Sequence, residues 1–235
     1  MKKVLLLCIS AFVLLTGCRK DHYKPGGAYK PDISPDEFSS GTVITNPYFP
    51  APPGKKYTYE GETAEGSEKV VEQRLAETKV IMGISCIVVN FKAFVDDELI
   101  EEAWDWYAQD NDGNVWYFGE AVDNYEEGVL INHDGSWEAG INGAQPGIIM
   151  PAHPYVGLQY REEYYPGEAE DEAAVIATGL NVTIPFGSFD NCIQTKNWTD
   201  LEPGIVEFKF YAPGVGLVKE LNQQENEEIV LVEIE

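Results

Sequence analysis

Short runs in which apolar and polar residues alternate, separated by turn signals, constrain the fold of this chain more than any other feature. Two runs, 84–95 and 99–109, flank Asp96-Asp97-Glu98, which predicts a β-hairpin. The chain then passes through 110–114, with Gly113 where the turn needs a positive φ, into a third run over 115–120. This pattern predicts antiparallel strands joined by tight turns.

Similar runs continue along the chain. They predict further strands at 57–60, 69–74, 129–132, 158–163, 174–184, 191–196, 206–211, 216–221 and 228–234. The one predicted helix is short and covers 166–174. Because strands do not alternate with helices, we predict an all-β antiparallel meander that forms a barrel or a strongly curled sheet, with little helix. Closure would also remove the unpaired edges of so many strands.

The N-terminus predicts export and lipidation. Lys2 and Lys3 precede an apolar run over 4–15, which is shorter than the roughly 20 residues of a membrane-spanning helix and indicates a signal peptide. The run ends in Leu-Thr-Gly-Cys at 15–18, which resembles the lipobox cleaved by lipoprotein signal peptidase. The resemblance implies that 1–17 are removed, that Cys18 is lipidated, and that acyl chains attach the protein to a membrane.

The residues directly after Cys18 indicate to which membrane the lipoprotein is sorted. Proteobacterial retention in the inner membrane uses an Asp directly after the lipidated cysteine, and Arg19 occupies that position. Lys20-Asp21 partly resembles the surface-export signal of Bacteroidetes lipoproteins, although His22 follows where further acids are expected. We therefore expect the protein to be anchored in the outer membrane. The sequence does not distinguish its periplasmic leaflet from its surface leaflet.

Composition divides the mature chain into two parts. Residues 18–45 are rich in Lys, Pro, Gly, Ser and Asp and show no apolar period, which predicts a flexible tether. Residues 46–235 have the length of a single domain. Once Lys2 and Lys3 leave with the signal, 14 of the 16 basic residues remain against 40 acidic ones, a formal charge of −26. Such a charge disfavours nucleic acid as a partner.

Several segments resemble those of a family of uncharacterised secreted bacterial proteins, for which no activity is implied. The segments lie at 106–110, 113–120, 135–140, 146–150, 164–171 and 211–218. The last of them, which contains Tyr-Ala-Pro-Gly-Val-Gly, also resembles envelope β-proteins with a curled antiparallel sheet and so favours the barrel.

Two cysteines remain in the predicted domain. Cys86 and Cys192 are an even number in an oxidising compartment, which predicts a disulfide between them. Two buried thiols are the alternative, if their strands are not neighbours.

Candidate metal and catalytic sites are sparse. Asp110, Asp112 and Asn114 precede or follow Gly113 as in the opening of a calcium loop, but the bidentate Glu of such a loop is missing, since Ala121 stands in its place. A hairpin turn explains the same residues, so we expect no cofactor, with Ca²⁺ as the alternative. His22, His133 and His153 form no ligand pair with zinc spacing, and no Gly-x-Ser-x-Gly motif is present.

The densest group of unusual residues follows a predicted strand and enters a Pro-Gly turn. It contains Tyr160, Arg161, Tyr164, Tyr165, Glu168, Glu170 and Asp171. These residues predict either carboxylates converging on a cation or paired carboxylates beside a sugar platform of tyrosine rings. A solvated acidic turn is the third interpretation.

The central hairpins are rich in aromatic residues. Alternation places Trp104 and Trp106 on one face of a strand and Asp105 and Tyr107 on the other. The tryptophans are expected to fill the core. If the barrel is wide enough to leave a cavity, its interior is expected to bind a ligand. The leading hypothesis is a membrane-anchored lipoprotein that binds a small molecule, a glycan or another partner without catalysis. The alternative is a glycan-acting enzyme that uses Glu168 and Glu170.

Overall fold

A computed structural model describes residues 29–39, 41–63, 66–224 and 227–235. These residues form one 3-10 turn, Pro35–Glu37, and fifteen strands. The strands are β1 (Lys56–Glu62), β2 (Ser67–Ile81), β3 (Ile84–Val95), β4 (Glu98–Gln109), β5 (Val115–Glu126), β6 (Val129–Asn132), β7 (Trp137–Glu138), β8 (Gln145–Met150), β9 (Gln159–Arg161), β10 (Glu163–Tyr164), β11 (Asp171–Ile184), β12 (Gly187–Thr199), β13 (Glu207–Ala212), β14 (Gly216–Asn222) and β15 (Glu227–Ile234). Within the described ranges, no helix is long and apolar enough to cross a membrane.

The strands form a single antiparallel sheet that curls into a nearly closed barrel. Its order is β10-β8-β5-β4-β3-β2-β1-β15-β14-β13-β12-β11-β9, with β6 and β7 paired to β5. The two ends of this order, β10 and β9, are separated in the chain only by Glu162. At this seam Gly147 on β8 lies so close to Glu162 that an added Cβ would come within 2.2 Å of the Glu162 carbonyl oxygen. Glycine therefore allows the two ends to meet.

The all-β prediction is confirmed, and the hairpins form where the turn residues predict them. β3 and β4 are joined by Asp96 and Asp97, whose φ angles of 49° and 66° are those of a tight two-residue hairpin turn. The helix predicted over 166–174 is wrong. Those residues form a turn followed by β11, whose first residues pair with both β9 and β12. This pairing outweighs a weak local helix preference.

The two faces of the central strands have different roles. Asp105 and Tyr107 on β4 face the interior of the barrel, as do Val89 and Phe91 on β3. Trp104 and Trp106, on the opposite face of β4, pack in an apolar cluster that also includes Cys86 and Val88. The predicted alternation is therefore confirmed, and the tryptophans pack on the face turned away from the cavity.

The segment before β1 covers this outer apolar face and one end of the barrel. Ile33 and Phe38 join the tryptophan cluster, and the Phe38 ring packs edge-on against Phe118 with centroids 5.6 Å apart. Further along, Phe49 packs against Tyr107 at 4.9 Å. The described part of the predicted tether, 29–39 and 41–45, thus contacts the barrel through Ile33 and Phe38, two apolar residues that follow no regular period. The predicted domain boundary at residue 46 stays a prediction, and Cys18 and the signal peptide lie outside the described residues.

The predicted disulfide is not formed in this structure. Cys86 on β3 and Cys192 on β12 are both free and buried. Their strands are not neighbours in the sheet, and the two side chains belong to separate apolar clusters. Sequence could not show this, because the pairing of distant strands decides which cysteines meet.

A candidate ligand cavity inside the barrel

The barrel is not filled by its side chains. A cavity of about 330 Å³ lies between β1–β5 on one side and β13–β14 on the other, and residues 49–52 close one end of it. This volume is at the lower end of the range for small-molecule sites. Its walls combine aromatic and ionisable side chains: Phe49, Tyr57, Tyr59, Phe91, Tyr107 and Tyr211 among the aromatics, Glu72, Glu101, Asp105, Glu120 and Glu220 among the acids, and Arg74 and Lys209 as bases.

A tyrosine links the acids on β4 and β5. The Tyr117 hydroxyl donates a hydrogen bond to Oδ1 of Asp105 at 2.7 Å, and Glu120 also hydrogen-bonds to this hydroxyl. Asp105 and Glu120 are direct partners in the β4–β5 register, so one hydroxyl serves two facing carboxyls. A hydroxyl carries one proton. The second carboxyl must therefore hold a proton of its own if both are to be hydrogen-bonded.

Aromatic rings hold this tyrosine in position. The Tyr107 ring stacks on Tyr117 with centroids 4.9 Å apart, and Trp137 packs edge-on against Tyr117 at 5.3 Å. The Trp137 indole Nε1 donates to Oε2 of Glu163 at 3.1 Å. Glu163 begins β10, directly after the seam at Glu162, so the closure of the barrel brings it towards the acids of β4 and β5.

Burial keeps protons on these acids. It raises the pKa of Asp105 to about 7, with a further increase from Glu101, against the Tyr117 hydrogen bond. Burial, Asp105 and Glu163 together raise the pKa of Glu120 to about 9. Burial raises the pKa of Glu163 to about 8, with contributions from Asp171 and Glu162. Carboxyls with pKa values this high are typical of functional sites.

On the β13–β14 side the cavity has one compensating base. Lys209 Nζ lies 3.1 Å from Glu207 Oε2 and 3.7 Å from Glu220 Oε2. Burial alone would lower the pKa of Lys209, but Glu220 and Glu207 hold this pKa well above its usual value. Lys209 in turn lowers the pKa of Glu207. These three groups form an ion-paired network, in contrast to Asp105 and Glu120 on β4 and β5, although burial still raises the pKa of Glu220.

The other base, Arg74, hydrogen-bonds to the segment that closes one end of the cavity. Its guanidinium donates to the main-chain carbonyl of Thr42 at 2.6 Å and to that of Ala51. Through these two backbone hydrogen bonds, Arg74 links residues 42–51 to β2.

The residues of the predicted 160–171 site do not line the cavity, and their surroundings differ from one residue to the next. Tyr160 is buried, and its hydroxyl has no hydrogen-bond partner in the described part of the chain. Arg161 donates to Oε1 of Glu172 at 2.6 Å and to the main-chain oxygen of Glu170 at 3.1 Å, and it lies 5.0 Å from the centroid of the Tyr164 ring. Tyr165 closes the turn by a backbone hydrogen bond with Ala169.

The three carboxylates of that site do not converge. Glu168 is exposed, while Oε1 of Glu170 accepts a hydrogen bond from the Gly167 amide at 2.8 Å, as in a capped turn. Asp171 is largely buried at the start of β11, where burial raises its pKa and Lys209 opposes that effect. The acids with large pKa shifts are instead Glu162 and Glu163, between the predicted site residues: burial raises the pKa of Glu162 to about 7 and that of Glu163 to about 8.

The loop compared with a calcium site has the contacts of a turn. Oδ1 of Asp110 accepts from the Asn114 amide at 2.8 Å, and Oδ2 accepts from the Asn114 side chain and from Trp116 Nε1, each at 2.8 Å. Asp112 is exposed. In the ranges that the structure describes, no group of three or more His, Cys, Asp or Glu residues could hold a metal ion.

Sequence reasoning missed three acids of the cavity wall, Glu72, Glu120 and Glu220, and it did not connect Lys209 with this cavity. One signal was available: Asp105 stands between two tryptophans in a strand, and a charged residue at such a position must find a polar interior or a partner.

Comparisons with known proteins give two structural likenesses. No family model and no curated protein matches the chain. A "putative exported protein with YmcC-like fold" from Bacteroides fragilis is 16% identical, with a TM-score of 0.45 over 80% of this chain and 98% of that one. A "putative lipoprotein" from Parabacteroides distasonis is 14% identical, with a TM-score of 0.41 over 83% of this chain and 99% of that one. At these values neither likeness identifies a function.

Proposed function

We propose that this protein is a lipid-anchored envelope protein, held at the outer membrane through Cys18, whose barrel binds a small molecule without catalysis. The observation that carries the binding role is the cavity of about 330 Å³ inside the barrel. Protein interiors are normally close-packed, and an unfilled interior with several polar groups is the usual form of a ligand site.

The polar content of the cavity separates it from a packing defect. A dry void in a core is lined by aliphatic side chains, whereas this one exposes carboxyls, a lysine and tyrosine rings to the same space. Buried carboxyls lower the stability of a folded protein unless they are paired. Their presence is explained by a ligand that interacts with them.

Native mass spectrometry of the protein purified from its own envelope tests the binding role. We expect a small-molecule adduct on the wild type that is lost in Ala103→Phe, because Ala103 lines the cavity and a phenyl ring would occupy it. Ala76→Phe is the matched control, since Ala76 is exposed on β2. If Ala103→Phe does not fold, Val89→Phe fills the cavity from β3. An adduct that persists in the folded filled variant contradicts the proposal.

The anchor is tested separately by labelled palmitate. Wild type should incorporate the label and Cys18→Ser should not, because the thiol is the acylated group. Palmitate incorporation that is independent of Cys18 contradicts the anchor and leaves the cavity proposal unaffected. A glycan-acting enzyme that uses Glu168 and Glu170 is not what we propose, because one of these carboxylates is exposed and the other accepts a backbone hydrogen bond within its own turn.

A further inference from the structure

We infer that the ligand of the barrel cavity is a small organic cation, whose charged nitrogen lies against Glu72, Asp105 and Glu120 and whose remainder packs against tyrosine rings. This inference rests on the proposed binding function and adds the chemical class of the ligand.

The charge balance of the cavity supports a cation. Lys209 is engaged by Glu207 and Glu220, and Arg74 donates to backbone carbonyls. Glu72, Asp105 and Glu120 line the cavity and form no ion pair with a basic side chain of the described residues, although Lys209 lowers the pKa of Glu72 from a distance. Carboxylates that face one another in a medium of low dielectric constant repel, so an anionic ligand is disfavoured and a cation is favoured.

Glu72 faces the same space from β2, where its half-buried side chain lines the cavity. Burial raises the pKa of Glu72 to about 7, Asp105 and Glu220 raise it further, and Lys209 opposes them. A positively charged group in the cavity would offset the repulsion from Asp105 and Glu220 and favour the ionised carboxyl.

The walls provide a second kind of attraction. Tyr59, Tyr107 and Tyr211 line the same space as the three carboxyls. The π-face of an aromatic ring attracts cations, most strongly where water is excluded. Carboxyls combined with aromatic walls are therefore complementary to an ammonium group that carries an alkyl or aromatic substituent.

Protonation makes this binding measurable. The neighbours of Glu120 are Asp105, Glu163 and Glu101, all acidic, and the hydroxyl of Tyr117. A cation that enters favours the ionised carboxyl, so its binding should release a proton at pH 7. For a permanently charged ammonium, affinity should then rise with pH between about 6 and 9.

The experiment is isothermal titration calorimetry of the protein with choline and with benzyltrimethylammonium. Each probe is compared with the uncharged isostere that has carbon in place of nitrogen. We expect each cation to bind at least ten-fold more tightly than its isostere.

The binding enthalpy measured at pH 7 in buffers of different ionisation enthalpy should show that about one proton is released for each cation bound. Glu72→Gln and Glu120→Gln should each lower the affinity at least ten-fold, while Glu168→Gln, which removes an exposed carboxyl, should leave it unchanged.

The outcomes separate this inference from the proposed function. Isosteres that bind as tightly as the cations would overturn the cation class and leave a cavity that binds neutral molecules. Failure of both cations to bind would overturn the inference, whatever adduct native mass spectrometry finds. An equal loss of affinity in Glu168→Gln would show that long-range charge, not the cavity, attracts the probes, and would also overturn it.

Discussion

The turn at 165–170 and the interior of the barrel are both rich in carboxylates, but their surroundings are opposite. In the turn, Glu168 is exposed to water and Glu170 accepts a backbone hydrogen bond. In the interior, Asp105 and Glu120 share the hydroxyl of Tyr117, and burial raises the pKa of both. The comparison teaches that density of acids along the chain is a poor guide to function, because solvent screens adjacent exposed charges. Acids from different strands that converge in a buried space are the unusual arrangement.

The largest effect that tests this comparison is the pH dependence of stability. The pKa of Glu120 is about 9 in the folded protein against an ordinary value of 4.5, and Glu163, Asp105 and Glu72 are shifted in the same direction. Between these values the folded state holds more protons than the unfolded chain, so the free energy of unfolding falls as the pH rises. Each unit of raised pKa corresponds to about 1.4 kcal/mol.

We therefore expect the melting temperature to fall by roughly 10 °C or more between pH 5 and pH 9, since about 1 kcal/mol shifts the melting temperature of a domain this size by roughly 2 to 4 °C. Thermal unfolding followed by circular dichroism measures it. A melting temperature that is constant or rises over this range would show that the interior acids are as well solvated as those of the turn.

A single neutralised carboxyl should give the next largest effect. Glu120→Gln removes a group whose ionisation opposes folding at high pH, so the variant should melt several degrees above wild type at pH 9 and close to it at pH 5. The matched change in the turn, Glu168→Gln, should shift stability by no more than about 0.5 kcal/mol at either pH. Equal shifts in the two variants would remove the distinction between the regions.

Loss of the shared hydroxyl should have a smaller effect. Tyr117→Phe leaves Asp105 without its 2.7 Å donor, and we expect a cost of about 1 to 3 kcal/mol at pH 8. At pH 5, where Asp105 carries its own proton, the cost should be smaller. Tyr125→Phe is the control, since that hydroxyl lies 3.5 Å from Asp123 and away from the cavity. Urea denaturation measures both, and equal costs for the two tyrosines would contradict a special role for the interior hydroxyl.

The smallest effect is expected in the turn itself. The double substitution of Glu168 and Glu170 by Gln should change the free energy of unfolding by about 0.5 kcal/mol or less, because the Gln oxygen at 170 can still accept from Gly167. Millimolar calcium, magnesium or manganese should leave the melting temperature of wild type unchanged. A cation-induced increase that the double variant abolishes would restore this turn as a binding site.

Much of the fold follows from local patterns. The bounds predicted for the strands at 84–95 and 129–132 agree with β3 and β6, and the Asp96-Asp97 turn joins β3 to β4 as predicted. These elements were predictable because period-2 burial and turn stereochemistry act between residues close in the chain. β7 and β8 were missed, since β7 has only two residues and β8 contains Pro146 and Gly147, which strands usually avoid.

The candidate site was much less predictable. Alternation placed Asp105 and Tyr107 on one face of β4, but it could not say whether that face was the interior of the barrel. Nor could it show that Glu120 lies directly opposite Asp105, that Glu163 approaches through the seam, or that Cys86 and Cys192 lie apart.

The sequence by itself determined the all-β class, the main hairpins and the two faces of each central strand, because these depend on alternation and on turns of a few residues. Only the tertiary structure decided which face is inside, where the barrel closes, and which acids lose their water. Those outcomes depend on the pairing of strands far apart in the chain and on the packing of 29–39 and 41–49 over the tryptophan face and one end of the barrel. The ionisation of a carboxyl depends on its solvent and its neighbours in space, and in this protein the neighbours of Glu120 come from β4 and from the seam between β9 and β10.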